Sequence, residues 1–268
     1  MKKTLIALTV AAGAVMSVSG VANAYTPAFS NGDISLGGTI STPVQASLYE
    51  GKVGSLTGLD ATIPVGQTSA TITVNGEGGL LALRSVESGI VSTASDKIAN
   101  ITFDGKTLLD AASGTAFNSG VIDMTLDAHD STGNKIGNIV FPMQVAAVTV
   151  TVDDAASTAV GASLYSPNDS TVFYGGLPKT KEGALQTYSG AMSKIEGLFT
   201  DIGENLPEIT SQGAYAELKN FGAADKTFHT AYAAGINSGD TVTINLDNAA
   251  TTGDVSWTAS LPVVVTYK

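Results

Sequence analysis

The residues able to do chemistry are few and scattered. The chain holds two histidines, His129 and His229, and no cysteine. His129 lies in Asp127-Ala-His129-Asp130, a run that could bind a divalent metal but that also reads as a strand end entering a polar turn. His229 sits in Lys226-Thr-Phe-His229 with Asp225 as its nearest acidic neighbour, and its expected place is the surface or an edge at the end of an insert. The members of a Ser-His-Asp triad meet only in the fold, so sequence leaves one open, but there is no G-x-S-x-G elbow. Gly76-Glu-Gly78-Gly79-Leu80-Leu81 begins like a dinucleotide loop, yet Leu81 stands where a third glycine belongs and no helical pattern follows, so a turn is expected. Asp153 and Asp154 point to opposite faces of an extended chain and lack the spacing of an EF-hand loop. Glu204, Glu208 and Glu217 read as solvated helix-face charges, not as the paired carboxylates of a glycosidase. No catalytic site, metal site or cofactor is expected, and the chain reads as a non-enzyme.

Composition narrows the class further. Residues 1–24 carry the features of a signal peptide: Lys2 and Lys3, an apolar stretch from Leu5 to Val18, and the cleavage pattern Ala22-Asn23-Ala24. That stretch is too short and too interrupted for a membrane span, and no later segment is apolar over 18 residues. The mature chain is therefore expected to begin at Tyr25 and to act outside the cytoplasm. Without cysteines its stability must come from packing and strand pairing. A net charge of −11 argues against nucleic acid or an anionic membrane as partner and says nothing of neutral ligands such as sugars.

The elements that must position any functional surface are mostly strands. Ala70, Ile72 and Val74 alternate up to a glycine turn, and Ile101 and Phe103 share a face before Asp104-Gly105. Ile122, Met124, Leu126 and Ala128 alternate up to Asp130-Ser-Thr-Gly133-Asn134, after which Ile139 and Phe141 continue. Val148, Val150 and Val152 alternate, as do Val242, Ile244 and Leu246. This recurrence of period 2 between turn signals predicts a mainly β chain built as a β-sandwich. One region departs from it. Leu185, Tyr188, Met192, Ile195, Phe199 and Ile202 are spaced 3, 4, 3, 4 and 3, which predicts an amphipathic helix between about 181 and 203. A second, shorter helix is predicted through Tyr215, Leu218 and Phe221. Residues 178–230 thus read as a small α-helical insertion, with core strands at Phe173–Leu177 and Ala231–Ala233 on either side.

The two ends are the most informative segments. Ile34, Leu36, Gly38 and Ile40 fall on one side of an extended N-terminal stretch. At the other end Trp257, Ala259, Leu261, Val263, Val265 and Tyr267 form one apolar row. Pro262 lies on the opposite face and lacks an N–H, which predicts a sheet edge or a place beside a gap. Two readings stand side by side. Residues 33–40 are the first strand of their own domain, or they are a donor strand that completes a neighbouring subunit by strand addition. In the second reading Gly38 marks a point where the acceptor groove has no room for a side chain.

These termini, with Phe29-Ser-Asn31-Gly32, Phe173-Tyr174-Gly175-Gly176-Leu177 and Ala231-Tyr232-Ala233-Ala-Gly235-Ile236, resemble the chaperone–usher pilins. Within that group the chain looks like the κ-class major fimbrial subunit, the FaeG-type fimbrial adhesin family, which also lacks the disulfide common in other pilins. The likeness is good at both ends and near residue 175 and loose between about 42 and 165. It implies an incomplete immunoglobulin-like β-sandwich (the pilin fold) over residues 42–268, preceded by a donor segment at 25–41. It implies export through the periplasm to a surface fimbrium, and as partners identical or related fimbrial subunits, a periplasmic chaperone that captures the C-terminal strand, and an outer-membrane usher. It further implies adhesion to a host glycoconjugate through the insert, although no sugar-contacting residue can be matched to this chain. A minor subunit without lectin activity shares the same termini. A small outer-membrane β-barrel is the alternative from another class; the helical insert and an aromatic content of 6% argue against it.

Overall fold

The computed structural model describes residues 26–27, 31–35, 40–41, 48–76, 78–213, 216–217 and 219–268, with side chains from residue 48 onward. The signal segment, Leu36, Gly38, Tyr215 and Leu218 lie outside the described residues. Alternating sequence becomes strand in chain order as β1 (Thr26–Pro27), β2 (Asn31–Ser35), β3 (Ile40–Ser41), β4 (Tyr49–Val53), β5 (Ser69–Thr73), β6 (Gly79–Ser85), β7 (Ile90–Val91) and β8 (Ala99–Phe103). A single helical turn, α1 (Leu108–Ala111), precedes the long hairpin of β9 (Val121–Asp130) and β10 (Lys135–Asp153), and β11 (Thr158–Ser163) follows. Then come α2 (Tyr188–Leu198), β12 (Ser211–Gln212), β13 (Thr227–Gly235), β14 (Thr241–Leu246), β15 (Trp257–Thr258) and β16 (Ser260–Tyr267).

Among the described residues the strands form two open sheets, and no barrel closes. The larger runs β1-β4-β6-β13-β10-β11-β12, with β9 and β14 flanking the first half of β10; the smaller runs β3-β2-β16-β8. Phe103, Phe141, Tyr232, Leu83 and Val263 belong to the core between them. The sandwich expected from the alternation is therefore present, and so is the small helical insertion.

Strand β10 explains how a helix can be added without opening that core. Its odd positions Ile139, Phe141, Met143, Val145 and Ala147 point between the sheets. Its even positions Ala146, Val148 and Val150 point outward, and they too are buried, because α2 lies across them. The Val148 to Val152 row read from sequence is thus the helix's bed and not part of the inter-sheet core. Small residues keep that bed shallow: Ala82, Ala231 and Ala233 lie in it. At Gly161 a Cβ would come within 2.7 Å of the Tyr188 ring, so only glycine lets the helix settle there. Thr187 caps the helix by accepting from the Gly190 N–H at 3.1 Å, and Tyr188, Ala191, Ile195 and Leu198 are its buried stripe.

The insert differs from expectation at both ends. The helix stops at Leu198 because Phe199 turns extended (φ −147°), although Phe199 and Ile202 stay buried and so preserve the apolar spacing past the helix. The described part of the second predicted helix is not helical: Glu217 bridges to Leu164 as a strand would, and Phe221 takes a left-handed φ of 56°. Phe173–Leu177 is a turn and not a core strand, with Tyr174 making an isolated bridge to Asn100. By contrast β13, which carries Ala231–Ala233, is a central strand.

Replacing Ile195 with Ala should destabilise the protein by about 2–5 kcal/mol, since it empties the centre of the helix's buried stripe. Thermal unfolding would report the loss. A melting temperature within a degree of the parent would mean that α2 is not held by this packing.

Candidate functional site

The expected functional strand occupies a place where its neighbours differ in kind. In β16, Leu261, Val263 and Val265 are buried and the residues between them exposed, as the alternation requires. One flank is β8, with Val263 opposite Phe103 and Tyr267 opposite Ala99. The other flank is β2, running antiparallel, with Ile34 opposite Leu261 and Gly32 opposite Val263. In the single chain, then, the N-terminal strand lies beside its own C-terminal strand.

Backbone polarity shows why Pro262 is tolerated. In a strand, successive N–H and C=O groups face alternate neighbours. Asp104 N–H donates to the Pro262 carbonyl at 2.7 Å, and Lys268 and Ile98 exchange bonds of 2.9 and 3.0 Å, so even positions face β8. The missing N–H of Pro262 therefore falls past the end of β8 at Phe103 and removes nothing from the β2 side. On that side Leu261 and Val263 keep their full hydrogen-bonding groups.

The apolar row is not one continuous strand. Trp257 and Thr258 pair with Asp130 and His129 of β9 in the larger sheet; Ala259 is buried in the core, and from Ser260 the chain belongs to the smaller sheet. The row keeps its period through the change of sheet, which is why the sequence showed no break. Its far end is held by contacts among aromatic residues that nothing in the sequence brings together. Tyr49 stacks on Tyr267 with centroids 5.5 Å apart and meets Phe173 edge-on at 6.0 Å; Phe173 in turn lies 5.3 Å from Tyr232. Burial, and next the nearby Tyr267, raise the Tyr49 hydroxyl well above the usual tyrosine range, and the hydroxyl donates to the Lys97 carbonyl at 2.6 Å. Residues so distant in sequence leave no local signal of their contact.

The candidates for chemistry lie apart from this strand and from one another. His129 is half-buried near the end of β9, beside the polar turn as expected. Asp130 organises that turn: its Oδ1 accepts from the Thr132 N–H at 2.8 Å and the Asn134 N–H at 2.9 Å, and these bonds, led by the Thr132 hydroxyl, lower its carboxyl to about 2. His229 is not at an edge. It is 7% exposed in mid-β13 opposite Val150, its Nδ1–H donates to the Asn205 carbonyl at 3.1 Å, and burial lowers its pKa. Glu204 and Glu217 are not on a helix either. Glu204 lies 3.3 Å from Arg84, which also binds Glu50 at 3.0 Å and the Asp201 carbonyl at 2.7 Å. That network fastens the end of the insert to β4 and β6. Among the described residues no group of histidines and carboxylates could hold a metal.

Residues 1–268 match the family described as "Fimbrial, major and minor subunit". K88 fimbrial protein AC of Escherichia coli is 30% identical over 290 residues and K88 fimbrial protein AB 31% identical over 292, each with 100% of both chains covered. F41 fimbrial protein of Escherichia coli is 26% identical over 285 residues, again with 100% of both chains covered.

The Asp130 turn carries a pH dependence of defined sign. Its folded carboxyl is lowered to about 2 from an ordinary 3.8, so its stabilising contribution is complete above about 4 and is lost as pH falls toward 2. Melting temperatures between pH 5 and 2 should fall more steeply for the parent protein than for Asp130→Asn. Parallel curves would show that the turn contributes nothing to the acid response.

Proposed function

The chain belongs to the family of fimbrial major and minor subunits, and on that premise we propose that it is built into its fibre by donor-strand exchange. A fimbrial subunit is a structural protein of a cell-surface fibre, not an enzyme, and it assembles with related subunits. In the exchanged state the segment 25–41, through Ile34, Leu36, Gly38 and Ile40, pairs with β16 of the next subunit; within its own chain β2 lies on β16, β1 on β4, and Ile40 opposite Gly32 of β2. The proposed route is export through the periplasm, with a chaperone covering Ala259 to Tyr267 until an outer-membrane usher delivers the strand of another subunit. Adhesion to a host glycoconjugate is the second part of the proposal.

The observation that supports the exchange is the light attachment of the N-terminal segment. Among the described residues β2 pairs with β16 and with β3, itself part of the same segment, and β1 adds a two-residue pairing with β4. The segment precedes the rest of the fold, so withdrawing it breaks the β2–β16 ladder and the two-residue pairing of β1 with β4 and leaves the pairings among the later strands in place. What it covers is costly to leave open. Each buried aliphatic of the β16 row contributes about 1.5–3 kcal/mol, and each ladder bond adds about 0.5–1.5 kcal/mol. A strand with the same register from a second chain satisfies the same groups, which is the logic of a domain swap.

Ile34→Asp should prevent polymer formation, because it sets a charge opposite Leu261 in the buried row. Surface-sheared parent protein run unboiled on a denaturing gel is expected to give a ladder at multiples of the subunit mass that collapses on boiling, and the variant a single band. A ladder from Ile34→Asp equal to the parent's would sink the donor-strand assignment. Deleting Val265 to Lys268 removes Val265 from the buried row and the Tyr267 ring from its stack on Tyr49. Periplasmic subunit should then be degraded, and an unchanged level would count against capture through β16.

A further inference from the structure

The smaller sheet ends in β3 on one side and in β8 on the other. In β8 the even positions Asn100 and Thr102 face Thr266 and Val264 of β16, so the outward backbone groups belong to Ala99, Ile101 and Phe103. Those groups are not bare. The Phe173 N–H donates to the Ala99 carbonyl at 2.6 Å, and the Ile101 N–H donates to the Tyr174 carbonyl at 2.8 Å. Phe103 exchanges bonds of 2.7 and 3.0 Å with Lys106 across the Asp104-Gly105 turn. The Ile101 carbonyl is shielded by Gly175, where a Cβ would fall 1.9 Å from its oxygen. So close an approach needs glycine, and at a φ of 87° the backbone needs it too.

We propose that residues 171–176 are an edge guard: they keep β8 from accepting the N-terminal segment of a second copy, and so confine strand addition in the smaller sheet to β16. The guard rests on the donor-strand reading above and gives the exchange its direction. The turn covers the edge without becoming a strand that could itself be extended, since Tyr174 makes a single bridge, to Asn100, between turn residues. It is also held in a strained shape from several sides. Phe173 keeps a left-handed φ of 60°, sparsely populated for a bulky side chain, and such strain persists only where the surroundings impose it. Its ring is fully buried between Tyr49 and Tyr232. The Gly175 carbonyl accepts from the Leu108 N–H at 2.6 Å, and the Gly176 carbonyl from the Tyr232 hydroxyl at 3.3 Å. Buried Thr171 lies with its Oγ1 2.7 Å from the Ser166 hydroxyl and donates to the Asn168 carbonyl at 2.6 Å. A mere connection needs none of these fastenings. A guard does, because an uncovered strand edge is a template for another chain.

Purified full-length monomer would be followed by residue-resolved amide hydrogen exchange, with and without a synthetic peptide of residues 25–41. In the parent the Ile101 and Phe103 amides should exchange at least about 100-fold more slowly than in an unstructured chain, and the peptide should leave them unchanged. Gly175→Ala should lift the turn, speed exchange at Ile101 about tenfold, and take up about one peptide per chain, which protects Ile101 again. Free exchange at Ile101 and Phe103 in the parent would overturn the guard without any variant. So would a folded Gly175→Ala chain that exchanges at Ile101 as the parent does, or one that opens there and binds no peptide. Peptide that protects Leu261 and Val263 but not Ile101 has gone to the β16 flank, and it too would overturn the guard. A parent without the boil-sensitive ladder removes the exchange reading and leaves this test standing, because it is read on single chains.

Discussion

The fold turns on the two unequal flanks of β16. Its side chains fill the core between the sheets, so the strand cannot leave without exposing Leu261, Val263 and Val265. Its backbone groups need partners on both sides, and only β8 belongs to the body of the chain. The second side is completed by β2, and in the proposed exchange an antiparallel segment of another chain with apolar residues in the right phase would take its place. A sandwich with such a flank is an aggregation hazard when left open and a polymer joint when filled in trans.

The helix sits where it interferes least with that joint. It packs on the outer face of the larger sheet, over Ala146, Val148 and Val150, while β16 lies in the other sheet. The even and odd positions of one strand therefore serve two cores that do not share side chains. Arg84, Glu50 and Asp201 tie the far end of the insert to β4 and β6, again on the outer face. Changes in the helix should thus alter stability without altering β16.

Alternation made the sandwich legible, because period 2 follows from the geometry of the strand itself. Asp130-Ser-Thr-Gly-Asn was legible as a turn for a similar reason, since a carboxylate two to four residues ahead of free N–H groups closes on them locally. What the sequence concealed was partnership. The row from Trp257 to Tyr267 keeps its period while passing from one sheet to the other at Ala259. The apolar spacing through Phe199 and Ile202 continues past the last helical residue, because buried turns need apolar residues as much as helices do. His229 looked like an edge residue because its shielding comes from Asn205 and from Gly89, both remote in sequence, and a Cβ at Gly89 would fall within 2.7 Å of its Nε2. Phe173–Leu177 read as a strand, yet it buries Phe173 through a left-handed turn (φ 60°) that no periodicity encodes.

The pairing of β2 with β16 in one chain bears on how a fibre could form. An exchanged ladder makes the same hydrogen bonds and buries the same residues as the ladder within a chain, so contacts alone do not favour the polymer. Association in trans also costs on the order of 4–15 kcal/mol in lost translational and rotational freedom. With equal contacts the closed monomer wins at low concentration. Polymerisation by the proposed exchange would then require that β16 be occupied before its own N-terminal strand can reach it, and be released only where the next strand is already held close. In the proposed assembly a chaperone on β16 followed by an usher would meet both requirements: one would block the closed monomer, and the other would raise the local concentration of the incoming strand. On this view the assembly machinery does not add stability to the fibre. It selects between two arrangements that are nearly equal in contacts, and once the neighbour's strand is seated the same buried row that closes a monomer holds the polymer together.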